Sequence, residues 1–163
     1  MKKTILEVKK IIIPSQTVIN SKKKIADLAF SLVEKEIEKV PEVVGIEFGG
    51  SYAKGTWLAE EADVDIFIKF KKSITEEKFE SISQKIGFSA MKKFNPYIRF
   101  SEHPYVEAKI KNTKINVVPC YNVKIGQWKS AADRSPFHTQ YMKKALTSKM
   151  KDEVRLLRMK LDY

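Results

Sequence analysis

The stretch FGGSYAKGTWLAEEADVDIFIKF, Phe48 to Phe70, sets two acids at the start of a strand otherwise made of Val64, Ile66, Phe67 and Ile68. Side chains alternate across a strand, so Asp63 and Asp65 share one face. Carboxylates that close repel each other and destabilise the strand unless something positive sits between them. Upstream, an apolar strand over 43–48 ends in Gly49-Gly50-Ser51 and enters a short helical piece reaching about Leu58. Glycine lets the backbone N–H groups of such a turn approach an anion closely. Ser51 adds a hydroxyl, and Lys54 adds a positive charge one turn on. Alone, Gly-Ser reads as an ordinary turn. Asp63 and Asp65 follow Ser51 by 12 and 14 residues, which a short helix and a return strand can span. The cradle and the carboxylates can then lie side by side, an arrangement suited to a triphosphate held by divalent metal. Magnesium takes oxygen ligands, and paired ions sit roughly 3.5–4 Å apart in two-metal centres. The plainer reading is a solvated acidic strand end, with Glu60 and Glu61 as further surface charge.

Working outward, residues 3–12 read as a short helix stopped by Pro14. A long helix follows from about Ser15, its N-cap, to Val40, with Ile25, Leu28, Ala29, Leu32 and Ile37 as its apolar stripe and Pro41 beyond its end. Downstream of the Asp-Val-Asp strand, 75–94 is helical, with Phe79, Ile82, Ile86 and Met91 facing inward. Three strands follow over 97–101, 106–110 and 114–118, the last two joined by Asn112-Thr113. Segments 136–146 and 151–161 read as helices. Strands mixed with helices in this order give an α/β or α+β domain, a mixed sheet flanked by helices.

With 163 residues, the chain has room for one domain with a sizeable core. No apolar run approaches the roughly 18–20 residues that span a bilayer, so no membrane is expected, and no leader is seen behind Met1. The single cysteine, Cys120, excludes an internal disulfide and reads as buried filler, consistent with a cytoplasmic protein. The formal net charge of +11 points to an anionic partner such as nucleic acid or nucleotide, with a lysine-rich solvated surface as the alternative reading.

Gly50-Ser51, Gly55-Thr56 and Asp63-Val64-Asp65 together resemble the signature of the DNA polymerase beta-like nucleotidyltransferase superfamily. GSYAKGTWL, DVDIFIKF, EHPYV, VVPCY, SAADRSPFHTQYM and EVRLLR extend the likeness from Pro14 to Arg158. The series looks like the archaeal-type (class I) CCA-adding enzymes, the tRNA nucleotidyltransferases. The resemblance implies addition of C, C and A to the tRNA 3′ end from CTP and ATP, without a template, using Mg2+. It implies Asp63 and Asp65 as metal ligands. It places Gly50, Ser51, Lys54, His103, His138 and Arg158 at the nucleotide, with Lys54 where relatives often carry Arg. Read without it, His103 is a loop or capping residue, His138 a core residue, Arg155 and Arg158 a basic solvated face, and Arg134 a local partner of Asp133.

Two departures stand out. The family's third catalytic acid falls at Asn116, in KINVVPCY. An amide carries no negative charge, so the loss bears on activating the attacking hydroxyl more than on holding nucleotide. Three explanations are open: an inactivating replacement, divergence to a binding protein, or a metal site completed by another residue. The second departure is length. The resemblance reads 1–145 as the catalytic head and 146–163 as the start of a helical neck, with tRNA gripping, base selection and a homodimer belonging to a longer protein. A small stand-alone nucleotidyltransferase and a non-catalytic nucleotide- or RNA-binding module are the rival readings.

Overall fold

The computed structural model describes residues 2–60 and 63–161; Glu61 lies outside them. Five strands form one mixed sheet in the order β1-β2-β5-β4-β3. They are β1 (Val43–Gly49), β2 (Asp63–Lys71), β3 (Tyr97–Arg99), β4 (Tyr105–Ile110) and β5 (Thr113–Asn122). Only β2 and β5 run parallel; the other neighbours are antiparallel. A parallel pair needs a long crossover, here supplied by α4 (Glu76–Met91) with β3 and β4.

One face of the sheet is the core. Val64, Ile66, Ile68 and Phe70 of β2 and Ile115 and Val117 of β5 are fully buried there or nearly so. They meet α2 (Gln16–Ile37) and α4. Ser15 caps α2 by accepting from the Val18 N–H at 3.3 Å, a bond worth about 1 kcal/mol. The buried residues of α2 are Lys22, Ile25, Ala26, Ala29 and Val33, so the stripe is rotated from the expected one and Leu28 faces outward. The small Ala26 and Ala29 let the helix sit close to the sheet. In α4, Phe79 stacks on Tyr121 with ring centroids 4.1 Å apart. A side chain at Gly87 would collide with Val106, so this glycine sets how near α4 approaches β4.

The turn between β4 and β5 is Lys111-Asn112, one residue earlier than the sequence suggests, with Lys111 in the left-handed region at φ 54. Pairing of Ile110 with Thr113 fixes it there. β5 also runs past Pro119 to Asn122. The last β4–β5 pair is Val106 with Val117, so Pro119 falls where β5 has lost its neighbour on that side.

Beyond the sheet come α5 (Arg134–Ala145) and α6 (Ser148–Leu161), while α1 (Lys2–Ile12) precedes α2. The basic face expected on α6 is instead a clamp. Arg155 donates to the carbonyls of Trp57 (3.0 Å) and Gly55 (2.7 Å) and to Asp152 (2.7 Å); Arg158 donates to the Thr56 carbonyl at 3.1 Å. These carbonyls lie just past the helix α3 (Gly50–Lys54), so the two arginines pin the segment that follows it. Among the described residues, no helix is long and apolar enough to cross a membrane.

Candidate active site

The second face of the sheet carries the polar residues. Strand pairing lines up Gly49, Asp65, Asn116, Glu107 and Tyr97 in one row across all five strands. Directly paired residues share a face. Asp63 lies two residues from Asp65 on the same side, exposed where Asp65 is half-buried. The sequence expectation of two same-face carboxylates is thus met by the register.

Gly50 leads into α3 with φ +61, a conformation glycine adopts without strain. A Cβ built there would lie 1.8 Å from Asp65 Oδ2, so the carboxylate rests directly on the glycine backbone. Gly50→Ala therefore strains the turn and pushes Asp65 aside. We expect metal-dependent nucleotide affinity to fall at least about tenfold and stability to drop by about 1–3 kcal/mol. Calorimetric titration and thermal unfolding check both.

The charges of this corner are poised against their own burial. Burial pushes the Asp65 carboxyl above its usual range, and nearby Asp63 adds to the rise. The hydrogen bond from Asn116 Nδ2 to Asp65 Oδ1, at 2.8 Å, and the Lys54 charge work the other way. Burial likewise pushes the Lys54 ammonium down, helped by Arg158 beside it and opposed by Asp65. A divalent cation at the carboxylates would relieve the first penalty, and a polyphosphate at Lys54 and Arg158 would relieve the second. Among the described residues, Asn116 Oδ1 is buried with no hydrogen-bond partner. An orphaned acceptor beside two acids is a neutral oxygen available to a cation. The donor set therefore fits Mg2+, with Asp63 and Asp65 to hold it.

Of the residues named from sequence, the structure gathers Gly50, Asp63, Asp65, Asn116, Lys54 and Arg158, and places Ser51 next to them on α3. His103 stands further along the sheet. It lines a cleft of about 280 Å3 with Phe67 and Val118, each two residues beyond Asp65 and Asn116 on the same face. Its Nδ1 lies 3.2 Å from Glu80 and 3.9 Å from Glu76, and the ligand atoms of these three residues fall within 4.8 Å of one another. His138 is exposed on α5, not a core residue. Arg134 is exposed and does not hold Asp133, which accepts four hydrogen bonds from other groups. Sequence reasoning missed Glu107, a buried charge at 7% exposure. An acid between Val106 and Ala108 was the available signal.

The nucleotidyltransferase domain family matches residues 31–142. The CCA-adding enzyme of Pyrococcus abyssi is 37% identical over 162 residues, 97% of this chain and 36% of that protein. The CCA-adding enzyme of Methanocaldococcus jannaschii is 36% identical over 138 residues, 83% of this chain and 30% of that protein. This chain spans about a third of the length of these curated relatives. Solved structures with the same fold include E. coli MS115-1 CdnC with ATP, at TM-score 0.65 and 18% identity, covering 96% of this chain and 56% of that one. A cytoplasmic RNA terminal U-transferase matches at TM-score 0.64 and 15% identity, over 96% of this chain and 43% of that one.

Proposed function

The chain belongs to the nucleotidyltransferase domain family, and from that membership we propose that it is the catalytic head of a CCA-adding tRNA nucleotidyltransferase. Its substrates would be CTP, ATP and the 3′ end and acceptor stem of tRNA. The observation that carries this is the seating of Asp65 on Gly50, with Lys54 and Arg158 alongside. The likeness to CCA-adding enzymes over nearly the whole chain supports the choice of substrate.

The reaction is in-line attack of the tRNA 3′-OH on the α-phosphorus of the nucleotide. The new bond joins the 3′ oxygen to that phosphorus, the α–β anhydride breaks, and pyrophosphate leaves. Mg2+ held by Asp63 and Asp65 would supply Lewis-acid activation of the hydroxyl and the phosphates. Backbone N–H groups at Gly50 and Ser51, the Ser51 hydroxyl, Lys54 and Arg158 would bind the triphosphate and stabilise charge on the departing pyrophosphate. His103 would line the far side of the nucleotide site and His138 its rim on α5. Residues 1–145 would form the head and 146–163 the start of a neck. Acceptor-stem grip, full control of C, C and A, and a homodimer would belong to the longer protein, working in the cytoplasm.

The test is incubation with α-labelled CTP or ATP, Mg2+ and a tRNA lacking its CCA end. The expected result is metal-dependent label on the tRNA and on no unrelated RNA. Label on another acceptor without tRNA would favour a stand-alone nucleotidyltransferase. Nucleotide binding with no pyrophosphate released would favour a non-catalytic module.

A further inference from the structure

We propose that Glu107, not the residue at 116, supplies the third carboxylate of the metal centre, reaching it from the next strand across Asn116. The inference rests on the nucleotidyl-transfer reading of the Asp63–Asp65 site.

Three observations support it. First, Asp65, Asn116 and Glu107 occupy one register row on adjacent strands β2, β5 and β4, so their side chains rise from the same face. Opposed residues on an antiparallel pair lie about 5 Å apart at their Cα atoms, and glutamate is one methylene longer than the aspartate it would replace. Second, Asn116 turns its Nδ2 to Asp65 and leaves Oδ1 buried without a hydrogen bond among the described residues, so the row between Asp65 and Glu107 contains an oxygen acceptor open to a cation. Third, Glu107 is 7% exposed, a costly place for a carboxylate. Its present partners are the Tyr97 hydroxyl and Arg99 Nε, the latter 3.6 Å away. Both stand on the three-residue edge strand β3, and the Arg99 side chain is 57% exposed. The ion pair to so exposed an arginine holds the carboxylate only weakly. The carboxylate can therefore turn inward when a cation binds, in direct contact or through one bound water. The centre then keeps three negative charges, displaced by one strand.

The test is a Mn2+ titration followed by the resonance of the free ion, counting the site that Asp65→Asn removes. Glu107→Gln is expected to weaken that site at least about tenfold. In the double variant Glu107→Gln with Asn116→Asp, the affinity is expected to return, because the charge is restored one strand away. Arg99→Gln removes an edge partner and is expected not to weaken the site. If Glu107→Gln binds Mn2+ as the wild type does, the proposal is wrong. It is equally wrong if the loss persists with Asn116→Asp, which marks Glu107 as a structural partner of β3. Should Glu107→Gln fail to fold, Glu107→Asp decides: its charge is kept and its reach shortened, so weaker binding supports the proposal and unchanged binding overturns it. A wild-type protein with no site removed by Asp65→Asn would instead sink the nucleotidyl-transfer reading itself.

Discussion

Asp65→Asn should reduce nucleotidyl transfer by at least about 10²–10³-fold and at the same time raise the melting temperature of the metal-free protein at neutral pH. The first effect follows from the proposed role of this carboxylate, seated on Gly50, as a metal ligand. The second follows from burial, which raises the Asp65 carboxyl above its ordinary 3.8. A carboxyl with a raised value in the folded state binds its proton more tightly there than in the unfolded chain. Its contribution to stability is full below about 3.8 and is lost as pH rises through the folded value. Above that window the wild type carries a buried charge that Asn116 and Lys54 offset only in part, and the variant does not. The amide can still accept from Asn116 Nδ2, so the local bond survives. Melting curves across acid and neutral pH should therefore separate as pH rises, the variant lying higher. Adding Mg2+ should lift the wild type and leave the variant unmoved. A variant that loses activity but also melts lower at neutral pH would show that Asp65 stabilises the fold and that the charge argument is wrong.

Asp133→Ala should cost about 3 kcal/mol or more, by loss of charge-assisted bonds and exposure of orphaned donors. Asp133 is wholly buried. It accepts from the backbone N–H of Tyr121 (2.7 Å), Lys129 (2.8 Å) and Ser130 (2.9 Å), and from Ser130 Oγ (3.0 Å). One side chain thereby joins the end of β5 to the entry of α5, and α5 in turn packs on α3 and β1. At this chain length the loss corresponds to a melting temperature lower by about 6–12 °C. Urea unfolding gives the same quantity independently. A change under 1 kcal/mol would mean that water replaces the carboxylate at all four donors.

Much of this was readable along the chain, for local reasons. Strand alternation put Asp63 and Asp65 on one side, and Gly50 marked the entry to α3; the long helix read as running to Val40 stops earlier, at Ile37. Cys120 sits buried among apolar neighbours, its thiol pushed up by burial, as its setting in VVPCY suggests. What escaped depends on partners distant in sequence. Arg155 and Arg158 look like a solvated basic face until folding brings α6 onto Gly55, Thr56 and Trp57, about a hundred residues upstream. Arg134 looks like the natural partner of Asp133, but the backbone N–H groups of Tyr121, Lys129 and Ser130 together with the Ser130 hydroxyl occupy that carboxylate. Glu107 joins Asp65 only through two strand pairings, and a slip of one residue in either would turn it to the other face. The turn at Lys111-Asn112 shows how small the margin is: a reading displaced by one residue in sequence is settled by the pairing of Ile110 with Thr113.

The most direct test of the site is a calorimetric titration of CTP into the wild type and Asp65→Asn, each with Mg2+ and with EDTA. The account predicts binding in the wild type that needs Mg2+ and is lost in the variant. CTP binding of equal strength in all four titrations would contradict it, because the nucleotide would then lie away from Asp63 and Asp65.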